Sequence, residues 1–217
     1  MILFLYIYGD QMNHDLNQSI YITPNNFFDL SNLAPNYGVL INKFPIASAE
    51  HLYHALKFSD NFDIQQLIIE SDSTKSARRT ASSIKLRQYI RKDFEDIKLD
   101  IMQYCLHAKM IWNWVKFGNL LKETGASTIV DVSRGNDIFW GTNDKSTEIV
   151  GENQLGKLIT QLRDDYLNGD NSNLRVLTAP EHLNLRLFGK QIQPIDRTKL
   201  LRQVGTIHSA EVAWYRS

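Results

Sequence analysis

The stretch Ser48-Ala49-Glu50-His51-Leu52-Tyr53-His54-Ala55-Leu56-Lys57-Phe58 restricts what this chain can fold into more than any other. Wound as a helix of 3.6 residues per turn, it sets Glu50, His54 and Lys57 within an arc of roughly 60°. Leu52, Ala55 and Leu56 form the opposite, apolar stripe. An acid, an imidazole and an amine therefore line up on one side, flanked by Tyr53 and by His51 and Phe58. Two arrangements satisfy that pattern. In one, the apolar stripe seals a core while the polar side lines a pocket. In the other, the polar side is solvated, and Glu50 with His54 forms an i,i+4 surface pair worth about 0.2–0.5 kcal/mol.

The segments around this helix are short. Ile2–Tyr8 and Ile20–Thr23 read as strands, the second closed by Pro24-Asn25-Asn26. The aromatic pair Phe27-Phe28 leads into the turn formers Ser31-Asn32, and Gly38–Ile41 is a third strand. Phe62–Glu70 and Ser73–Ser83 read as helices, with Asp72-Ser73 at the cap of the second. The stretch around that second helix is basic (Lys75, Arg78, Arg79, Lys85), which fits either a solvated face or contact with phosphate. Arg91–Trp112 is the clearest helix, because Phe94, Ile97, Ile101, Tyr104, Cys105 and Ala108 recur at three- and four-residue steps. Val115–Lys122 is another, stopped by Thr124-Gly125.

Thr128–Val132 reads as a strand running into the loop Ser133–Gly141, which carries Asp137, Trp140 and Gly141. Polar and aromatic groups at the end of a strand are well placed at the mouth of a pocket. Asn143–Val150 reads as a polar loop. Leu155–Leu167 is an amphipathic helix whose first amides are expected to be free to receive an anion. Asn168–Asn173 has linker composition, and beyond it lie a strand-like Arg175–Leu177, a helix over Thr198–Gln203 and an apolar Val212–Tyr215.

Charge and composition bound the function. Lysine and arginine number 24, as do aspartate and glutamate, which argues against holding long nucleic acid by bulk charge but leaves room for a local basic groove. The single cysteine, Cys105, sits in the apolar period of its helix and is expected to be buried rather than nucleophilic. No run of residues approaches a membrane span, so a cytoplasmic protein without a membrane partner is expected. No Gly-x-Gly-x-x-Gly or Walker loop follows a strand, and no Cys/His set has zinc spacing.

The order of several fragments resembles the NADAR family, also called YbiA-like. They are Phe28-x-Leu30-Ser31-Asn32-Leu33-x-Pro35, then Glu50-His51-x-x-x-Ala55-x-Lys57-Phe58, then Ala77-x-Arg79. They continue with Arg91 to Met102, Leu120 to Gly125, Val130-Asp131, Asp137-x-x-Trp140-Gly141, and Gly151-x-Asn153-x-Leu155-Gly156-x-Leu158 with Arg163. The resemblance covers residues 20–167, leaving 1–19 and 168–217 as extensions. It departs from the family pattern in the lead-in from Pro45 to Glu50, in Asp131 for the commoner Glu, in Phe94 for Trp, and in His54 for Gln.

The resemblance implies a mostly helical α+β fold, a single compact YbiA-like domain with short strands. It implies a hydrolase of N-glycosidic bonds needing no cofactor and no metal. The expected substrate is ADP-ribosylated guanine, in nucleic acid or as a nucleotide, with a paired ADP-ribosyltransferase as partner in a toxin–antitoxin arrangement. The alternatives are an N-glycosidase for phosphoribosylamino pyrimidine intermediates of riboflavin synthesis, and a non-catalytic module binding ADP-ribose. The resemblance assigns Glu50, Lys57 and Asp137 to catalysis, and Ser31, Asn32, Arg79, Trp140, Gly141 and Asn153 to substrate binding. Glu50 would stabilise an oxocarbenium-like state, and Lys57 would either hold a phosphate or form a Schiff base with an opened ribose.

Overall fold

The computed structural model describes residues 19–132, 137–145, 148–168 and 172–204. The expected strand at Ile2–Tyr8, residues 133–136 of the loop Ser133–Gly141 and the apolar Val212–Tyr215 lie outside them. Strand β1 (Ser19–Ile22) pairs in parallel with β4 (Thr128–Asp131), Ser19 opposite Thr128 and Ile22 opposite Asp131. A parallel pair needs a long crossover, and here the crossover is most of the helical body. Between the two strands come the hairpin β2 (Val39–Ile41) and β3 (Phe44–Ile46), and the helices α1 (Ala49–Leu56), α2 (Phe62–Ile69), α3 (Thr74–Ala81), α4 (Phe94–Trp112) and α5 (Trp114–Glu123). Every sheet among the described residues has two strands, so helices supply most of the packing surface, as expected for a mostly helical α+β domain.

The β2–β3 hairpin was not legible as such. Asn42 and Lys43 both take positive φ, 50° and 71°, which is the two-residue turn that matches strand twist. Pro45 sits on β3 opposite Leu40. The unusual lead-in to Glu50 is therefore a return strand, and it delivers the chain to Ser48, whose Oγ accepts the His51 amide and caps α1.

All eight residues of α1 are buried, and α2, α3, α4 and β3 pack around it. This excludes the solvated surface pair. Helix α4 lies along α1, and of the apolar residues predicted for it Phe94, Ile101, Tyr104, Cys105 and Ala108 are buried, while Ile97 is half-buried against the same core. Helix α5 stops where expected, with Gly125 at φ 54° and the Thr124 hydroxyl donating to the Leu121 carbonyl.

Residues 143–145 and 148–150 correct the loop expected there: they pair as antiparallel strands, β5 (Asn143–Lys145) against β6 (Glu148–Val150). So polar a sequence shows no period-two signal, and backbone pairing next to the Val132–Thr142 bridge supplies the order instead. Helix α6 (Gln154–Leu167) then packs on β4. A Cβ on Gly156 would meet the Ile129 carbonyl at 2.3 Å, so only glycine permits that approach.

After α6 the chain joins the body. A helical turn α7 (Ser172–Arg175) leads to β7 (Val176–Leu177), which pairs with β10 (Ile195–Asp196), and β8 (Arg186–Leu187) pairs with β9 (Lys190–Gln191). Helix α8 (Arg197–Val204) closes the described residues. Leu174, Leu183, Leu185 and Leu187 belong to the same buried cluster as α1 and α4. Gln65, fully buried, donates to the carbonyls of Ala55 and Arg186 and accepts the Phe188 amide at 2.7 Å, which ties this segment to the back of α1.

Candidate active site

The site is built around Glu50, in the first turn of α1 and 4% exposed. Both of its oxygens are held. Asn32 Nδ2 donates to Oε2 at 2.5 Å, and His54 Nε2 donates to Oε1 at 3.0 Å. The Asn32 carbonyl also accepts the Glu50 amide, so the Ser31-Asn32 turn grips both backbone and side chain of the acid. Ser31 fixes that turn in its own right. Its hydroxyl donates to Asn32 Oδ1 and accepts the Leu33 amide, which leaves the Asn32 NH2 pointing at Glu50.

Lys109 anchors the turn from below. It is fully buried, and its ammonium donates to the carbonyls of Asp29 and Ser31 at 2.6 and 2.8 Å, between the rings of Tyr37 and Phe117. Burial pushes its amine well below the usual lysine range, opposed by Asp29. Sequence reasoning missed Lys109, although the signal was present: it falls four residues after Cys105, on the apolar step of α4.

The two histidines of α1 divide between structure and site. His51 Nε2 faces the Ser71 carbonyl and Nδ1 faces the Ser48 hydroxyl, so its ring ties the start of α1 to the α2–α3 connection. Burial lowers its pKa, in keeping with a neutral ring that donates from Nε2 and accepts at Nδ1. His54 points to Glu50, and its Nδ1 is buried with no partner among the described residues.

Lys57 follows on the same side of α1 and is half-buried. Its ammonium lies over the Phe94 ring, 4.9 Å from the centroid. Burial is the largest influence on its amine and lowers its pKa, against the attraction of Glu95 and Glu50. Tyr53 is the hub of the aromatic wall, with ring centroids 5.3 Å from His54, 5.8 Å from Phe94 and 5.6 Å from Trp140. Phe139 packs edge-on to Trp140 and carries the Lys98 ammonium 4.0 Å from its centroid.

The far side comes from the end of β4 and the loop after it. Asp137 is exposed, and its Oδ1 accepts the Trp140 amide at 3.3 Å. Asp131, half-buried at the last position of β4, was marked by sequence only as a departure from the family pattern and was given no role in the site. Its carboxyl is pushed up to about 7, chiefly by desolvation and then by the charges of Asp137 and Glu50. A carboxyl that holds its proton near neutral pH beside another acid is the usual ground for dividing acid and base roles. The signal for Asp131 was its place at a strand end, but its environment is entirely tertiary.

Three expected binding groups are placed differently. Asn153 is engaged with β4: its Nδ2 donates to the Ile129 carbonyl at 2.8 Å, and its Oδ1 accepts the Asp131 amide at 2.9 Å. It therefore positions Asp131. The amides of Glu152, Asn153, Gln154 and Leu155 meet the carbonyls of residues 138–141, so the start of α6 is closed to an anion. Gly141 is buried and contributes its carbonyl to that ladder, against which a Cβ on Gly151 would collide at 2.3 Å. Arg79 stands on the exposed face of α3, and no hydrogen bond among the described residues joins it to the Glu50 cluster. Cys105 is buried as expected, and burial raises its thiol pKa. Among the described residues no three His, Cys, Asp or Glu side chains are grouped to hold a metal ion, and no helix is long and apolar enough to cross a membrane.

The chain is similar to several known proteins. It is 26% identical over 202 residues to a riboflavin biosynthesis protein of Vibrio vulnificus, covering 89% of this chain and 47% of that one. It is 34% identical over 80 residues to the chloroplastic riboflavin biosynthesis protein PYRR of Arabidopsis thaliana, covering 37% of this chain and 12% of that one. It thus spans less than half the length of these two relatives. An N-glycosidase of Nostoc punctiforme is 28% identical over 139 residues, 64% of this chain and 85% of that one. The NMR structure of the Escherichia coli protein YbiA superposes with a TM-score of 0.59 at 25% identity, covering 70% of this chain and 88% of that one. A family model for the NADAR domain matches residues 18–167, most of the chain, and the chain belongs to that family.

Proposed function

We propose that the protein hydrolyses an N-glycosidic bond between ribose and a nitrogenous base. The observation that carries this reading is the buried Glu50 carboxylate, held by Asn32 and His54 beside a half-buried Lys57 and an aromatic wall. Water's oxygen bonds to the anomeric carbon as the C–N bond breaks; water loses a proton and the leaving base nitrogen gains one. Glu50, with both oxygens already accepting hydrogen bonds, acts by its charge on the oxocarbenium-like state rather than by taking the proton. Asp131, able to hold a proton near pH 7, serves proton transfer, and Asp137 meets the ribose hydroxyls. Half-buried Trp140, backed edge-on by the buried Tyr53, offers ring surface to the base. Lys57, with its amine pKa lowered by burial, is placed to hold a phosphate or to add to an opened ribose aldehyde, and borohydride trapping followed by intact-mass measurement separates the two.

The substrate read first is ADP-ribosylated guanine. A second reading, a phosphoribosylamino pyrimidine, is favoured by the names of the Vibrio and Arabidopsis relatives. The test is hydrolysis of ADP-ribosylated guanosine, an ADP-ribosylated oligonucleotide and the phosphoribosylamino pyrimidine side by side, with wild type and Glu50→Gln. Turnover of one substrate by the wild type, lost in a Glu50→Gln protein that still folds, is the expected result. Near-normal turnover by the variant would remove Glu50 from the chemistry, and binding without turnover would make the domain an ADP-ribose-binding module.

A further inference from the structure

The balance of charge over the whole chain hides a strong segregation. Between Ser73 and Lys92 stand seven lysines and arginines and no aspartate or glutamate, leaving 17 basic residues against 24 acidic ones elsewhere. Helix α3 turns Ala77 and Ala81 inward toward α1. Lys75, Arg78, Arg79 and Ser82 recur at i, i+3, i+4 and i+7, so they share its outer face. The 3-10 turn Ile84–Tyr89 carries exposed Lys85 and Arg87 onward, with Tyr89 49% exposed at its end. Among the described residues, no carboxylate lies within ion-pair distance of Lys75, Arg78, Lys85, Arg87 or Lys92, whereas Lys98 and Arg163 have such partners. Surface charges of both signs are normally interspersed, and an uncompensated run of one sign is the footprint of an interaction with the opposite sign.

We propose that this ledge binds the phosphodiester backbone of single-stranded nucleic acid and leads it to the Glu50 site. The proposal deepens the N-glycosidase reading and rests on it only for what is cleaved, since binding is a separate event. Two observations favour a nucleic acid over another polyanion. First, the basic stretch runs directly into the site: the Arg91 amide bonds the Lys57 carbonyl, and the Phe94 ring lies under the Lys57 ammonium. Second, Glu50 is buried at the bottom of an aromatic wall, so a base joined to its sugar reaches it only when unstacked, which a single strand permits at least cost. Exposed Tyr89 adds a face on which a neighbouring base can stack.

The test is fluorescence polarisation of a short unmodified single-stranded oligonucleotide across a range of salt. Single strands lose about 0.7 of a logarithmic unit of affinity per tenfold rise in salt for each phosphate neutralised, so engaging about four cations predicts a loss of about 50-fold between 50 and 200 mM. The quadruple variant Lys75→Glu, Arg78→Glu, Lys85→Glu, Arg87→Glu should weaken binding by at least about tenfold and flatten the salt slope, while hydrolysis of ADP-ribosylated guanosine stays within about twofold of wild type. The corresponding glutamine variant, checked by thermal melting, gives the same answer if charge reversal harms folding. Unchanged oligonucleotide binding in a folded variant overturns the proposal, as does affinity for anionic vesicles in place of the oligonucleotide. Salt-dependent oligonucleotide binding with no turnover of any ribosyl substrate supports the ledge and defeats the N-glycosidase reading instead.

Discussion

Replacing Asp131 by asparagine keeps its size and backbone hydrogen bonds but removes the charge that its surroundings resist. In the folded protein the carboxyl titrates at about 7, against 3.8 for an unhindered aspartate. Below pH 3.8 both folded and unfolded chains hold the proton, and the residue adds no pH dependence. Between 3.8 and 7 the folded chain binds more proton than the unfolded one, so wild-type stability falls as pH rises, and above 7 the loss is complete. At about 1.4 kcal/mol per pH unit the ceiling is ~4 kcal/mol, and solvent reaching a partly exposed carboxylate reduces this to ~2 kcal/mol. Urea unfolding of wild type and Asp131→Asn should therefore show a gap that opens from pH 4 to pH 7.5 in favour of the variant, and then stays constant. A gap independent of pH would refute the account of Asp131 as a destabilised acid facing Asp137 and Glu50. The same variant should lose most of the turnover, because the proton it held is no longer exchangeable.

Other changes probe the supports of the site. Asn32→Ala removes the donor on Glu50 Oε2 and should lower kcat about 10- to 100-fold with little change in KM, read by steady-state kinetics. Gly156→Ala forces a methyl against the Ile129 carbonyl and should cost about 1–3 kcal/mol in urea unfolding. Gln65→Ala strands the Phe188 amide and should cost about 1–3 kcal/mol, with faster proteolytic cleavage near Arg186 than in wild type.

Burial explains why the Ser31-Asn32 turn, Glu50 and Lys109 behave as one unit. A lysine held under three turn carbonyls costs desolvation, and that cost is offset only while the carbonyls and the two rings stay in place. The turn is thereby fixed, and with it the amide that holds Glu50. The carboxylate is thus preorganised by groups 18 residues before it and, through Lys109, by a residue in α4.

What the sequence by itself determined was local. The inward stripe of α1, the apolar period of α4 and the stop at Gly125 follow from spacing and turn chemistry, which act within a few residues. The ordered fragments also marked Glu50, Asn32 and Trp140, all of which stand in or on the wall of one cluster. What only tertiary structure decided was who meets whom and who loses water. Asn153 looked like a binding group and instead pins β4. The first amides of α6 looked free and instead close on residues 138–141. Asp131 and Lys109 looked ordinary and became the most perturbed acid and amine near the site. Desolvation and hydrogen bonding across the fold depend on neighbours far apart in sequence, so spacing along the chain carries no record of them.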